Sequence, residues 1–348
     1  MQVSSSVSDE TIGGFDLYQF DKPCKSICSL SASDTNIHRF ALGTSEYSTD
    51  NTLTLVDFDE SSRNFTQIAQ SKNLPPVEHL IPFGKGVNSE ILVVFRDTKE
   101  RESYLSLLKV DLEDSLGSFE TLVKLDSTFR NVKRISYDPY SGEFGRFCVI
   151  SRESLCLFKE SEESFEEIFR INTDSKLRYS GSYHAGAFDP HHSDLFGISI
   201  DNCFEIIDFR QKLTDRITLK GSAPHKGAIL DLKFNPNVPN EVITVGEDTR
   251  VYSWDLRATL EPTVFDSGHN HWIQEIHYNT FHDQLLLTCG ATGIFLHTRN
   301  ESLNRVYHNP QASVCTCWSE GDAWHYGSIV SRGLLVESVP KDIKFKLL

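Results

Sequence analysis

No stretch of this chain approaches the roughly 20 consecutive apolar residues that a helix needs to cross a bilayer, which argues against a helical membrane protein. Basic charge is also short. Against 49 Asp and Glu there are 34 Lys and Arg, a formal charge of −15 that repels phosphate backbones and anionic headgroups. Direct contact with nucleic acid or a membrane surface is therefore not expected. Long low-complexity tracts are missing, and so is any sustained helical periodicity. Only residues 1–11, opening MQVSSSVSDE, are expected to be disordered, with 12–348 folded as one domain.

Chemistry-bearing motifs are equally scarce. The glycines of GKGVNSE, Gly84 to Glu90, lack the spacing and following helix of a phosphate-binding loop, and no Ser stands in a nucleophile elbow. The eight cysteines are scattered, and no basic, apolar, small-residue order marks a secretory signal, so a reducing, cytosolic setting is expected. Neither Cys24 with Cys28 nor Cys315 with Cys317 has the two-residue gap of a zinc knuckle, and buried thiols are expected there. No cofactor and no metal is called for. His191-His192 follows Pro190 in a turn and is read as solvated rather than as a ligand pair.

What the chain does have is a period. Phe188-Asp189-Pro190, Phe234-Asn235-Pro236, Tyr278-Asn279 and Trp318-Ser319 each end a strand-like alternation, at steps of 46, 44 and 40 residues. After each comes a polar turn, an apolar second strand, a tight turn and a third strand. These steps bracket the ~40–45 residues of a four-stranded propeller blade. The clearest repeats are 180–213, 222–258, 266–299 and 312–340. Weaker sets upstream complete seven units, centred near residues 40, 93, 149, 198, 244, 287 and 329. The expected fold is all-β, a seven-bladed propeller. An N-terminal strand in FDLYQF, Phe15 to Phe20, is preferred to complete the last blade, and the tail IKFKLL competes for that edge.

In the fifth unit His225, Thr244, Asp248 and Trp254 fall where the WD-repeat family, which these residues resemble, places a structural tetrad. The resemblance implies that Asp248 orients His225, whose ring links to Thr244 and on to the indole of Trp254. Such a chain ties three strands together without orphaning a buried polar group, so it reads as scaffold and not as a catalytic triad. Other units keep fragments: His269 and Thr288 in the sixth with Thr292 and His297 at the acid and indole positions, Asp201 in the fourth, Ser328 in the seventh.

A propeller without an active site works through its rims. Trp272, with His271 and Lys226, is the first candidate for partner contact, buried packing between blades being the alternative. The acidic run KESEESFEEIF, carrying Glu160, Glu162, Glu163, Glu166 and Glu167, is a solvated outer strand or a docking strip for a basic partner.

FNPN with WDLR, HNHWIQEIHYNTFHDQLLLT, WSEGDAWHYGS, VPKDIKFKLL and, upstream, RFALGTSEYSTDNTLTLVDFDE resemble the EARP-interacting protein family. The likeness covers residues 180–348 and 39–60; from about 75 to 180 only the blade pattern is legible. It implies a non-enzymatic, monomeric adaptor that binds a multisubunit tethering complex of the EARP/GARP type and supports endosomal recycling, retrograde traffic and secretory-granule formation. It would be cytoplasmic and reach endosomes and the trans-Golgi network only through partners. Two alternatives stand beside it: a propeller-borne hydrolase of the diphthine methylesterase type, and an acidic propeller that binds basic peptides such as histone tails.

Overall fold

The second strand of each unit is almost continuously apolar, as in Ile91-Leu-Val-Val-Phe95, Val242-Ile-Thr-Val245 and Leu285-Leu-Leu-Thr288. A strand with no polar face must be covered on both sides. In the computed structural model these segments are buried along nearly their whole length, because each lies mid-sheet between two neighbouring sheets. Outer strands such as Phe165–Asn172 and Leu303–Asn309 carry exposed polar residues instead. The structure describes residues 16–84, 90–111, 117–138, 140–141, 145–161, 164–172, 181–211, 225–258, 261–300, 302–331 and 333–348.

Among these residues the strands form seven antiparallel sheets. Their innermost strands, Cys24–Leu30, Val77–Phe83, Val132–Asp138, Tyr183–Phe188, Ile229–Phe234, Ile273–Tyr278 and Ser313–Trp318, define blades 1 to 7. Each innermost strand touches the next, and the seventh touches the first, so the ring is closed. All seven centres read from the sequence fall in the second strand of their blade. Blade 4 shows three strands, and residues 212–224, after its third, lie outside the described residues.

The core is divided in the same way. Seven apolar clusters occupy the seven seams between blades, for example Phe204, Leu232 and Trp254 between blades 4 and 5, and Phe40, Ile329 and Val336 between blades 7 and 1.

The ring is fastened by the N-terminal strand. Asp16–Gln19 pairs antiparallel with Gly333–Ser338 as the outer strand of blade 7. Gly333 is required there, since a Cβ would sit 1.9 Å from the carbonyl oxygen of Tyr18. Tyr18 donates a 2.9 Å hydrogen bond to Gln67 of blade 1, and Arg63 of blade 1 grips Asp16 at 2.9 Å. The C-terminal tail is not the competing strand but a short helix, Lys341–Leu347, which packs Ile343 into the seam of blades 6 and 7. Residues 1–11 and Phe15 lie outside the described residues.

Candidate functional site: the upper rim and the central channel

Each innermost strand shifts register by one residue just after it starts, in all seven blades. A bulge at a fixed step re-aims the residue that follows. Here it puts Ser26, His79, Arg134, Ala185, Asp231, Glu275 and Cys315 at corresponding positions around the central channel, which encloses about 1000 Å³. Arg134 of blade 3 reaches past blade 4 to Glu275 of blade 6 at 3.2 Å and to Asp231 of blade 5 at 3.9 Å. Blade 4 carries only Ala185 at that height, which leaves room for the long side chain. Asp231 also holds Lys233 at 3.3 Å and accepts the amide of Ile276 at 3.1 Å. Burial alone would raise the pKa of Glu275, yet Arg134 and His277 bring it down to about 2. Burial pushes His79 down to about 3, with Arg134 and Lys25 adding to the effect. The network is a brace across the channel. Its alternation is visible in the sequence of Ile229–Phe234 and Ile273–Tyr278, but strand alternation alone does not say which blades face each other.

The four residues of the blade 5 tetrad are brought together. His225 Nε2 is 2.7 Å from Thr244 Oγ1, and Trp254 Nε1 donates to that oxygen at 2.9 Å. His225 Nδ1 is 2.9 Å from Asp248 Oδ1. Because the Asp248 carboxylate can only accept, His225 Nδ1 carries the proton, and Nε2 then accepts from the Thr244 hydroxyl, which itself accepts from the indole. Burial would raise the pKa of Asp248, but the bonds from His225 and backbone amides hold it below its ordinary value. Blade 6 repeats the pattern in neutral form. His269 meets Thr292 at 2.7 Å and Thr288 at 2.9 Å, and Thr288 meets His297 Nε2 at 3.0 Å. Ser328 of blade 7 meets Thr316 at 3.1 Å, and Asp201 of blade 4 accepts the amide of Ser182 at 3.0 Å.

Above these tetrads, at the start of the blade 6 innermost strand, stands Trp272. Its indole is 50% exposed, so it is not packed between blades. At the corresponding position the other blades carry Pro23, Pro76, Asn131, Ser182, Ala228 and Ala312, none of them large and apolar except by proline's ring. Gly290 lets the Trp272 backbone come close, since a Cβ there would lie 2.4 Å from the Trp272 carbonyl oxygen. His271 is exposed with its ring 5.3 Å from the indole. Lys226 is exposed on blade 5 and is tied to the tetrad, its amide donating to Asp248 at 3.1 Å. Val314 of blade 7, 51% exposed, lines the same channel mouth and was not singled out from sequence.

The acidic run lies elsewhere. Glu160 ends the third strand of blade 3 and accepts the amide of Gly145 at 3.0 Å, Glu166 is exposed on the outer strand, and Glu167 is held by Arg170 at 2.5 Å. Glu162 and Glu163 lie outside the described residues. Blade 3 does not adjoin blade 6, so the strip and the indole are separate surfaces. His191 and His192 are exposed in their turn but are not merely solvated: they contact Asn235 O at 3.1 Å and Asp189 at 2.9 Å. The lower rim holds a further apolar pair missed by sequence reasoning, Val238 and Phe281, which alternation does not reveal because both are in turns.

Among the described residues, no helix is long and apolar enough to cross a membrane. The chain matches a family described as EIPR1 beta-propeller over residues 16–294. It is 22% identical to a human protein named EARP and GARP complex-interacting protein 1, with 91% of this chain and 94% of that protein aligned. It is 23% identical to the EARP-interacting protein homolog of Gekko japonicus over the same shares. It is 22% identical to EARP-interacting protein 1 of Caenorhabditis elegans, over 68% of this chain and 72% of that one. The family match runs through residues 75–180, where the sequence alone showed only a blade pattern. With four-fifths of its length matched and seven blades closed by an N-terminal strand, the chain belongs to the EIPR1 beta-propeller family.

Proposed function

We propose that this chain is a non-enzymatic propeller adaptor that binds a multisubunit tethering complex of the EARP/GARP type through its upper rim. The observation that carries the reading is Trp272. A large apolar side chain, half in solvent, sits immediately before the blade 6 innermost strand, where the other blades place small or turn-forming residues. Half-buried aromatics set in a polar surround are the side chains that concentrate binding energy at interfaces. The relatives' names supply the partner class, and their nearly full-length alignment supports carrying it over.

Rigidity suits this role. The channel brace and the tetrads hold the rim loops in one geometry, so docking need not pay to order them. The surplus of acidic charge disfavours direct lipid contact, and the protein would sit in the cytoplasm, reaching endosomes and the trans-Golgi network through its partner. Support of endosomal recycling, retrograde traffic and secretory-granule formation would follow from that attachment. The test is affinity purification of the tagged full chain from cells, with mass spectrometry. Recovery of the tethering subunits in near-stoichiometric amount is expected. Their absence, with histones or another basic partner recovered instead, would overturn the reading in favour of a peptide-binding acidic propeller.

A further inference from the structure

On the rim opposite Trp272, where blade 7 meets blade 1, four side chains from distant parts of the chain converge. His38 is the second residue of the second strand of blade 1, and Glu60 lies in the turn after its third strand. Asp322 lies in the loop between the first two strands of blade 7, and His325 opens the second. One ligand-capable atom from each falls within 4.8 Å of the others. The two imidazoles are 4.1 Å apart, centre to centre.

Each ring is already held from behind. Asp322 Oδ1 accepts the amides of Trp324 and His325 at 2.9 Å each, and its Oδ2 takes His325 Nδ1 at 2.9 Å. Ser319 Oγ holds His38 Nδ1 at 2.8 Å. Both Nε2 atoms then face Glu60, His38 at 4.0 Å and His325 at 3.9 Å, too far for hydrogen bonds. His38 is fully buried, and its Nε2 has no hydrogen-bond partner. A buried polar atom without a partner is a costly arrangement unless something else engages it. With Nδ1 taken up by Ser319, Nε2 is the ring nitrogen of His38 left for a ligand.

We propose that His38 Nε2, His325 Nε2 and the Glu60 carboxylate form a zinc site that staples the closing seam of the propeller, with Asp322 and Ser319 orienting the two rings. Two imidazoles and one carboxylate suit a borderline ion such as zinc, whereas calcium or magnesium would want six or more oxygens. A carboxylate behind a ligating histidine is the usual device for fixing its tautomer. Tetrahedral ligands at about 2.0–2.2 Å from zinc stand roughly 3.3–3.6 Å apart, so the Glu60 oxygens must close on the two imidazoles by about half an ångström. Glu60 supplies that movement, because its side chain is half exposed on a turn. The fourth position opens to solvent on the Glu60 side and takes water. Lys344 adds positive charge nearby, which the two carboxylates offset.

The full chain, stripped with a chelator, is titrated with zinc chloride alone, and calorimetry and the thermal midpoint are read together. One zinc per chain is expected at saturation, with a midpoint that rises with added zinc as mass action requires. Glu60→Gln should keep the zinc-free midpoint of the parent and lose at least about tenfold in affinity. Cobalt in place of zinc should give the absorption of a tetrahedral site in the parent and lose it in the variant. Absence of saturable zinc binding by the parent would overturn the proposal. So would equal zinc affinity in the parent and Glu60→Gln, or an equal response to magnesium.

Discussion

Blades 5 and 6 solve one problem with different chemistry. Both tie a loop histidine to a strand threonine and pass the bond on to a third-strand ring, with His225 and His269 each about 4 Å from an aromatic, Tyr252 or Phe295. In blade 5 every donor has a fixed direction, because the indole donates, the hydroxyl relays and Asp248 receives, with Tyr252 also donating to Asp248 at 3.1 Å. In blade 6 the acid has become Thr292 and the tyrosine Phe295, so the charged acceptor and the phenol that bonds to it are both gone. His297 replaces the indole, and its Nδ1 is left buried without a partner. A tetrad can thus lose its charge and keep its geometry, but one orphaned nitrogen is left behind.

The largest test of this contrast is Trp254→Ala against His297→Ala. Removing the indole should cost about 3–5 kcal/mol, the range of large aromatic truncations in cores. The His297 change should cost less, because it also removes the orphaned nitrogen. Denaturant unfolding of both variants measures it, and a larger loss from His297→Ala would break the comparison.

The next effect is smaller. Asp248→Ala leaves the His225 Nδ1–H without its acceptor and should cost about 1.5–3 kcal/mol, the scale of a bond to a charged group. Thr292→Ala removes a neutral partner and should cost about 1 kcal/mol. Equal losses by thermal unfolding would mean that the charge in blade 5 adds nothing.

Acid separates the two blades further. Burial, with His308, holds His269 at about 4, and burial with His269 holds His297 at about 3, against an ordinary 6.5. Between those values and 6.5 the unfolded chain binds more protons than the folded one, so this stability is complete above 6.5 and is lost as pH falls toward 4. Asp248 is depressed from 3.8, so its contribution persists down to that pH and is lost below it. The deficit of His269→Gln relative to the parent, measured by denaturant unfolding, should therefore shrink between pH 7.5 and pH 5. Thr292→Asp should raise the His269 pKa, as read by NMR titration. An unchanged titration would show that position 292 does not control the ring.

Blade 5 was legible in the sequence because His225, Thr244, Asp248 and Trp254 are all present at their spacing. Blade 6 was legible in part, since His269 and Thr288 survive. Blades 2 and 3 were visible only as apolar strands between turns, because residues 75–180 carry no such marker. The channel brace and the His38–His325 pair were not legible at all. Arg134 meets Glu275 across the channel and His38 meets His325 at the closing seam, and no local pattern encodes contacts between residues so far apart in the chain.

The rim is the surface on which the account depends, and the most direct measurement compares the parent and Trp272→Ala in a binding titration with purified EARP/GARP-type complex, thermal midpoints being read on the same samples. The account predicts an unchanged midpoint and an affinity lower by roughly 30-fold, about 2 kcal/mol, the scale of a hot-spot aromatic. Unchanged affinity with an unchanged midpoint would contradict it and move the docking surface to the Val238 and Phe281 pair or the acidic strand of blade 3.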